Sequence, residues 1–289
     1  MALTKIPPRG RTRLAPTPSG FLHVGNAFNF LVSALLAKDS GSDLLLRIDD
    51  LDTERVRSEY VEDIFRSLEW LGIRCDKGPS GPEELATTWS QAHRLDRYRG
   101  LSQQLERMGM LYPCACSRSE MAERVETGAP HACASTTSPT VTPGSPWRLR
   151  IPDPSVVRYK ELSGRTVEND LFALMEDPVL ITRGNGRPAY QLASLADDVD
   201  FGITFIVRGE DLRPSTTCQA FLADRLGLDD FAEVRFHHHH LIVDADGSKL
   251  SKSAGSRALR SMRLAGEGPD QLVGQAERYV EDLYRSIST

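Results

Sequence analysis

The sequence predicts an α/β fold built on a parallel sheet, and three observations carry that expectation. Arg11 to Ala15 reads as a strand, Phe28, Leu31, Val32, Leu35 and Leu36 repeat at helical spacing, and Asp43 to Asp49 (DLLLRID) is a short, mostly apolar strand. Strand, helix and strand in such close succession make a βαβ unit, whose strands lie parallel with a right-handed crossover. The chain has 289 residues, 40% hydrophobic and 26% charged, enough for about two domains of ordinary size and neither disordered nor fibrous in composition.

The elements follow in order. The first strand stops at Pro16-Thr17-Pro18-Ser19-Gly20, a turn of residues that restrict or free the backbone; Asn26 is expected to cap the first helix, which ends near Gly41. Val56, Tyr60, Ile64, Leu68 and Leu71 mark an amphipathic helix over Thr53 to Leu71, and Ala92 to Met108 forms a third helix. Residues 126 to 146 are rich in Ala, Ser, Thr, Pro and Gly, a loop by composition. Trp147 to Ile151 resumes as a strand, and Val179 to Thr182 followed by Gly184-Asn185-Gly186 reads as a β-hairpin. Ile203 to Arg208 is a buried strand and Ser215 to Leu226 a helix. In the last helix, Pro269 to Ile287, Leu272, Ala276, Tyr279, Val280, Leu283 and Ile287 share one face, as a helix packed back onto its own domain requires.

The net charge of −5, from 35 basic and 40 acidic residues, excludes a globally basic coat for nucleic acid and leaves room for a local basic groove. Only six of the basic residues are lysines, so Lys249 and Lys252, three apart, stand out. The longest nearly apolar stretch, Phe30 to Ala37, falls short of the ~20 residues a membrane helix needs. Met1 to Arg13 carries Pro7, Pro8 and charges where a secretory signal needs an apolar core, so a cytoplasmic protein is expected. The five cysteines, an odd number, argue against a disulfide framework and toward metal. Cys114-Ala115-Cys116 can set two thiolates on one ion; Cys133 lies 17 residues on, and His131 would complete a Cys3His set. Cys75 and Cys218 are isolated and read as inert thiols.

Two segments carry the chemistry. His23-Val24-Gly25-Asn26 stands where a strand and turn deliver the start of a helix, whose free N–H groups and positive dipole end suit an anion, and Gly25 lets a phosphate approach the backbone. Near the other end, Asp246-Gly247-Ser248-Lys249-Leu250-Ser251-Lys252-Ser253 sets two lysines among hydroxyls, suited to a polyphosphate whose charge shifts during reaction. The run Gly184 to Ala189 fits a dinucleotide-binding pattern formally, but Pro188 and the Asn-Gly turn favour the hairpin. Along His237 to His240 a strand alternates its faces, so at most two of these histidines share a side.

Together the two segments resemble the paired HIGH and KMSKS signatures of class I aminoacyl-tRNA synthetases. RLAPTPSGFLHVGNA (13 to 27), LLLRIDDLD (44 to 52), RPAYQLASLADD (187 to 198), IVRGEDL (206 to 212) and SKLSKS (248 to 253) narrow the resemblance to the glutamyl-tRNA synthetase family, over roughly residues 10 to 260. The chain stops 36 residues after Ser253, which resembles the compact glutamyl-Q tRNA(Asp) synthetase branch, attaching glutamate to queuosine at the wobble position.

The resemblance implies a Rossmann-like class I catalytic domain over 1–99 and 191–260, with a smaller inserted α+β subdomain and zinc knuckle over 100–190. A C-terminal helical tail over 261–289 would then stand without an anticodon-binding domain. It further implies ATP and Mg2+, and L-glutamate activated to glutamyl-adenylate and passed to a tRNA, expected to be tRNA(Asp); beside it, Cys114, Cys116, His131 and Cys133 read either as a site for one Zn2+ or as a degenerate site that has lost its metal. A monomer without membrane partners is expected. His23, Lys249 and Lys252 would be catalytic, and His23, Gly25, Asn26 and Lys252 would bind ATP, which one histidine of the 237–240 run can also touch. Arg13, Ala15, Thr17, Asp49, Tyr190 and Arg208 would bind glutamate: Arg13 pairing with its side-chain carboxylate, Arg208 also on glutamate, Asp49 on its amino group and Tyr190 lining the pocket through its hydroxyl. Two positions depart from the family: Asp49 stands where Glu is frequent, and Ala129 where the zinc pattern has tyrosine. Two other readings remain open, a synthetase charging a tRNA 3′ end through acceptor-stem contacts and a non-catalytic paralogue that binds tRNA or nucleotide.

Overall fold

The computed structural model describes residues 9–127, 131, 133, 144–184, 186–240 and 258–288. Lys249 and Lys252, Ala129, Asn185 and most of the 126–146 segment lie outside the described residues. The described strands are β1 (Arg11–Leu14), β2 (Asp43–Leu46), β3 (Leu111–Pro113), β4 (Trp147–Leu149), β5 (Val156–Glu161), β6 (Thr166–Asp170), β7 (Val179–Ile181), β8 (Phe205–Gly209) and β9 (Arg235–His239). The longer helices are α1 (Val24–Ser40), α2 (Ser58–Trp70), α3 (Leu95–Arg107), α4 (Arg118–Thr127), α5 (Tyr190–Asp200), α6 (Arg213–Leu226), α7 (Leu259–Leu264) and α8 (Asp270–Ser288).

The βαβ unit forms as expected: β1 and β2 pair in parallel, Arg11 opposite Asp43 and Leu14 opposite Leu46, with α1 as the crossover. The cap differs from the expectation. His23 is the N-cap, its Nδ1 accepting from the Gly25 N–H at 3.1 Å, while Asn26 one turn in reaches back through Oδ1 to the His23 N–H at 3.0 Å. The two residues thus close a capping box, in which an imidazole replaces the usual hydroxyl. Gly41 ends α1 with φ +63°, the left-handed conformation that glycine adopts without a steric cost.

A second sheet has the order β6-β5-β9-β8, with β8 and β9 parallel and α6 between them in sequence. Its β8 side adjoins β1, where the Thr204 N–H donates to the Arg11 carbonyl at 2.8 Å and the Arg11 N–H to Thr204 Oγ1 at 2.9 Å. A third, antiparallel sheet of β3, β4 and β7 lies within 100–190, whereas β5 and β6 from the same stretch hydrogen-bond into the sheet of β8 and β9. The hairpin after β7 is closed by the Thr182 N–H on the Arg187 carbonyl at 2.8 Å and by a bridge from Ile181 to Pro188.

The second helix starts at Ser58 rather than Thr53; the residues before it turn instead, the Arg55 N–H donating to the Asp52 carbonyl at 3.0 Å and Thr53 Oγ1 accepting from Arg187 Nη1 at 2.8 Å. Just ahead of them, the Gln91 N–H donates to Asp50 Oδ1 at 2.8 Å, and its Oε1 accepts from the Leu51 N–H at 3.1 Å. Residues 91–94 form a single 3-10 turn ahead of α3.

Two apolar clusters make the core. One joins α1, β1, β2, α2 and α8 through Leu14, Phe28, Leu36, Ile64, Ala276 and Val280; the other joins α3, β4, α5, α6 and β9 through Tyr98, Leu105, Leu149, Leu192, Leu222 and Phe236. As the stripe in the last helix predicts, α8 packs against α1. Leu272, Ala276 and Val280 are buried, the Tyr279 ring meets Phe28 edge-on at 5.2 Å, and the Tyr284 hydroxyl donates to Asp39 at 3.1 Å. Truncating Leu272 to Ala should leave a cavity under α8 and cost about 2–5 kcal/mol, read as a lower urea midpoint at unchanged m.

Candidate functional site

Arg13 lies in β1, Arg208 near the carboxyl end of β8, and Arg47 immediately after β2. Ligands of open α/β sheets bind outside the carboxyl ends of strands, and here the site forms there. Arg13, Ala15, Thr17, His23, Asn26, Tyr190 and Arg208 line one cleft of about 420 Å3. A neighbouring recess of about 580 Å3 shares Thr17, Arg55 and Tyr190 with it and adds Asp49, Arg183 and Arg187. The six expected glutamate residues therefore surround two adjoining hollows.

A buried charge network lies behind them. Arg47 grips Asp49 through two nitrogens (Nε to Oδ1 2.6 Å, Nη2 to Oδ2 3.2 Å) and reaches Asp198 Oδ1 with Nη1 at 2.7 Å. Asp198 Oδ1 also accepts from Arg13 Nε at 3.0 Å. Asp197 accepts from Gln91 (2.9 Å), Arg94 (2.6 Å) and the Tyr98 hydroxyl (2.7 Å). Burial pushes the Asp198 carboxyl up, but the charges of Arg13, Arg47 and Arg208 outweigh it and hold the group below its usual range.

Arg208 is in the opposite position. Burial pulls its guanidinium below the usual arginine value, although Tyr190 and Asp198 oppose that pull, and its hydrogen-bond partners are neutral: Gln219 Oε1 at 3.0 Å and Thr216 Oγ1 at 3.3 Å, both on Nη1. Nε and Nη2 are buried and have no hydrogen-bond partner among the described residues. A buried guanidinium with unsatisfied donors at the wall of a cleft is a receptor for an acceptor-only anion such as a carboxylate.

At the other end of the cleft, the His23 ring accepts on Nδ1, which assigns its proton to Nε2 in the neutral form. A Cβ on Gly25 would stand 3.0 Å from His23 Cε1, so glycine here is what lets the ring fold over the helix start. His23 also pairs in antiparallel fashion with Ala258, and the Leu259 N–H donates to the Leu22 carbonyl at 2.8 Å. On the other flank, His239 Nε2 meets Asn29 Oδ1 of α1 at 3.2 Å. Residues 241–257, which carry both expected lysines, are thus bounded on each side by residues anchored around the first half of α1.

The second predicted cluster also assembles. The ligand atoms of Cys114, Cys116, His131 and Cys133 all lie within 4.8 Å of one another. His131 Nε2 is 3.4 Å from Cys114 Sγ and 3.7 Å from Cys116 Sγ, and Cys116 Sγ is 3.7 Å from Cys133 Sγ. Three sulfurs and a nitrogen at the corners of a tetrahedron around zinc, with bonds of about 2.3 and 2.0–2.1 Å, lie roughly 3.5–3.8 Å apart, so the donor set fits the ion. His131 supplies the fourth donor atom of this set.

Residues 10–273 match the family of class I tRNA synthetases (E and Q), catalytic domain. The chain belongs to that family. It is 37% identical over 288 residues to glutamate–tRNA ligase 2 of Gluconobacter oxydans, covering 93% of this chain and 60% of the relative. It is 34% identical over 284 residues to the glutamyl-Q tRNA(Asp) synthetase of Symbiobacterium thermophilum, covering 91% and 84%. Among solved structures, the glutamate-tRNA synthetase of Elizabethkingia anophelis superposes with a TM-score of 0.68 at 27% identity, covering 86% of this chain and 53% of that one. The chain thus spans about 60% of the length of the glutamate–tRNA ligase from Gluconobacter oxydans.

In this synthetase-family chain the sequence reading singled out the cleft lining but not Arg47, Gln91, Asp197 or Asp198. A signal was present for three of them: Arg47 interrupts an apolar strand run, and Asp197-Asp198 follows a nearly apolar helical segment, so each charge needed a buried partner.

The four consecutive histidines divide as strand geometry requires. His237 and His239 meet Tyr279 and Asn29 on the α8 and α1 side, while His238 meets Thr216 of α6 at 2.8 Å. Burial lowers His237 to about 4 and His238 to about 3. Both are therefore neutral in the fold while the unfolded chain takes up protons below ~6.5, so stability is full above that value and falls as pH drops toward 4. The unfolding free energy from urea titrations should fall between pH 7 and 5 by up to about 1.4 kcal/mol per pH unit for each histidine, and more shallowly in His237→Gln.

Proposed function

We propose that this chain activates L-glutamate with ATP and passes it to the queuosine base of tRNA(Asp). The observation that carries the activation step is the pair of guanidiniums in one cleft. Arg13, held by its Nε on Asp198, turns its remaining donors to the same cleft that Arg208 lines with unsatisfied ones. Two such groups bind a dicarboxylic amino acid and reject the amide, whose NH2 would face donors. Tyr190 lines both hollows, and Asp49, steadied by Arg47, supplies the negative charge for the ammonium.

ATP then lies toward His23 and the start of α1, where the positive end of the helix dipole and the His23 Nε2 proton face phosphate oxygens. An α-carboxylate oxygen of glutamate attacks the α-phosphorus in line, the bond to the β-phosphate oxygen breaks, and pyrophosphate leaves with the electron pair. Lys249 and Lys252 offset the charge that grows on the leaving phosphates. Magnesium, when bound, adds positive charge on those same oxygens. A nucleophile on the tRNA then attacks the mixed-anhydride carbonyl and AMP departs. Arginines at the rim of the neighbouring recess, Arg55, Arg183 and Arg187, suit the phosphates of an incoming RNA loop.

Replacing Arg208 with Gln separates substrate binding from folding. Pyrophosphate exchange should show KM for glutamate raised about 10²-fold, as for loss of charge-assisted hydrogen bonds, with a thermal midpoint no lower than wild type because a buried cation with unsatisfied donors is removed. The acceptor is tested with labelled glutamate. Label should appear on tRNA(Asp) that carries queuosine and not on tRNA(Asp) that lacks it; label on the 3′ end of tRNA(Glu) would establish the end-charging reading in its place.

A further inference from the structure

We propose that Asp177, with Tyr112, forms the outer shell of the metal centre and sets the tautomer with which His131 ligates. This rests on the reading of Cys114, Cys116, His131 and Cys133 as a zinc site. His131 presents Nε2 to the sulfurs, and its other nitrogen, Nδ1, lies 2.9 Å from Asp177 Oδ2 and 3.0 Å from the Tyr112 hydroxyl. Imidazole has one proton to give when Nε2 binds a metal, so Nδ1–H donates to the Asp177 carboxylate. The Tyr112 oxygen, 3.0 Å from the same nitrogen, offers that proton a second acceptor. All three side chains are buried, His131 at 7%, Asp177 at 3% and Tyr112 at 2% exposure, so no solvent competes for the Nδ1 proton.

Asp177 is held in place by its backbone as well. Its φ is +48°, the left-handed region that aspartate and asparagine tolerate better than most residues, and its carbonyl accepts from Arg148 Nη1 at 2.9 Å. The arrangement places a carboxylate behind a histidine ligand, the pairing that orients the ring and raises its basicity toward a metal. A tyrosine ligand, which the zinc pattern carries at the position of Ala129, would have no use for it. Asp177 and Tyr112 are positioning residues for this chain's own fourth donor.

Asp177→Asn tests the carboxylate with little change in backbone preference. In competition with a chromophoric zinc chelator, the full chain carrying Asp177→Asn should bind zinc about 10- to 100-fold more weakly than wild type. The same substitution made in a His131→Cys background should cost almost nothing, because a thiolate ligand has no second nitrogen to orient. An equal loss in both backgrounds would overturn the proposal, since the substitution would then act on the fold rather than through the histidine, and so would an unchanged affinity in the first. Wild-type protein that holds no zinc would instead overturn the metal reading beneath it, which elemental analysis reads separately.

Discussion

Two adjacent carboxylates on α5, Asp197 and Asp198, are fully buried, and the rest of the molecule is arranged to make that tolerable. An unpaired charge in a protein interior costs several kcal/mol, so each needs cationic or hydrogen-bonding partners within reach. Those partners come from elements far apart in sequence: Arg13 from β1, Arg47 from the end of β2, and Gln91, Arg94 and Tyr98 from the turn and helix leading to β3. A network of this kind adds little net stability compared with apolar packing, but breaking it by removing one member costs about 3–5 kcal/mol. It therefore fixes where the strands end relative to α5 more than it tightens the fold.

That fixing has a chemical consequence. The guanidinium of Arg13 reaches the cleft already oriented by Asp198, and Asp49 reaches the neighbouring recess already oriented by Arg47. Donors and acceptors that need no reorganisation on ligand binding are worth more than mobile ones, above all where water is excluded. Arg208 complements them as the one member whose buried charge is left with neutral partners and open donors. The cleft is thus electrostatically complete only with an anion in it. At its other end the arrangement is lighter: a histidine cap, a glycine that makes room for the ring, and a backbone bridge from His23 to Ala258.

The Cys3His cluster is held by a different kind of constraint. Its donors come from the end of β3, from His131 and from Cys133, and its support comes from Asp177 just before β7 and Arg148 in β4. The three-stranded sheet and the cluster therefore depend on each other, while the second apolar cluster beneath ties that sheet to α3, α5 and α6.

Periodicity alone determined much of this protein. The βαβ unit, the buried strand ending near Arg208, the stripe that seats α8 and the alternation along His237 to His240 all follow from side-chain spacing, because helix and strand repeats are local properties of the chain. The cleft lining and the donor set were legible as residues standing in recognisable motifs. What the sequence could not supply was who partners whom. The capping role of His23 rather than Asn26, the turn before α2 that Arg187 meets at Thr53, the joining of β5 and β6 to the β8 and β9 sheet, the grip of Arg47 on Asp49 and Asp198, and the carboxylate behind His131 were each decided by tertiary structure. The physical reason is that a buried charge or an unsatisfied N–H can be paired by any suitable group the fold brings within about 3 Å, and that choice depends on packing between distant segments, 185 residues apart for Arg13 and Asp198.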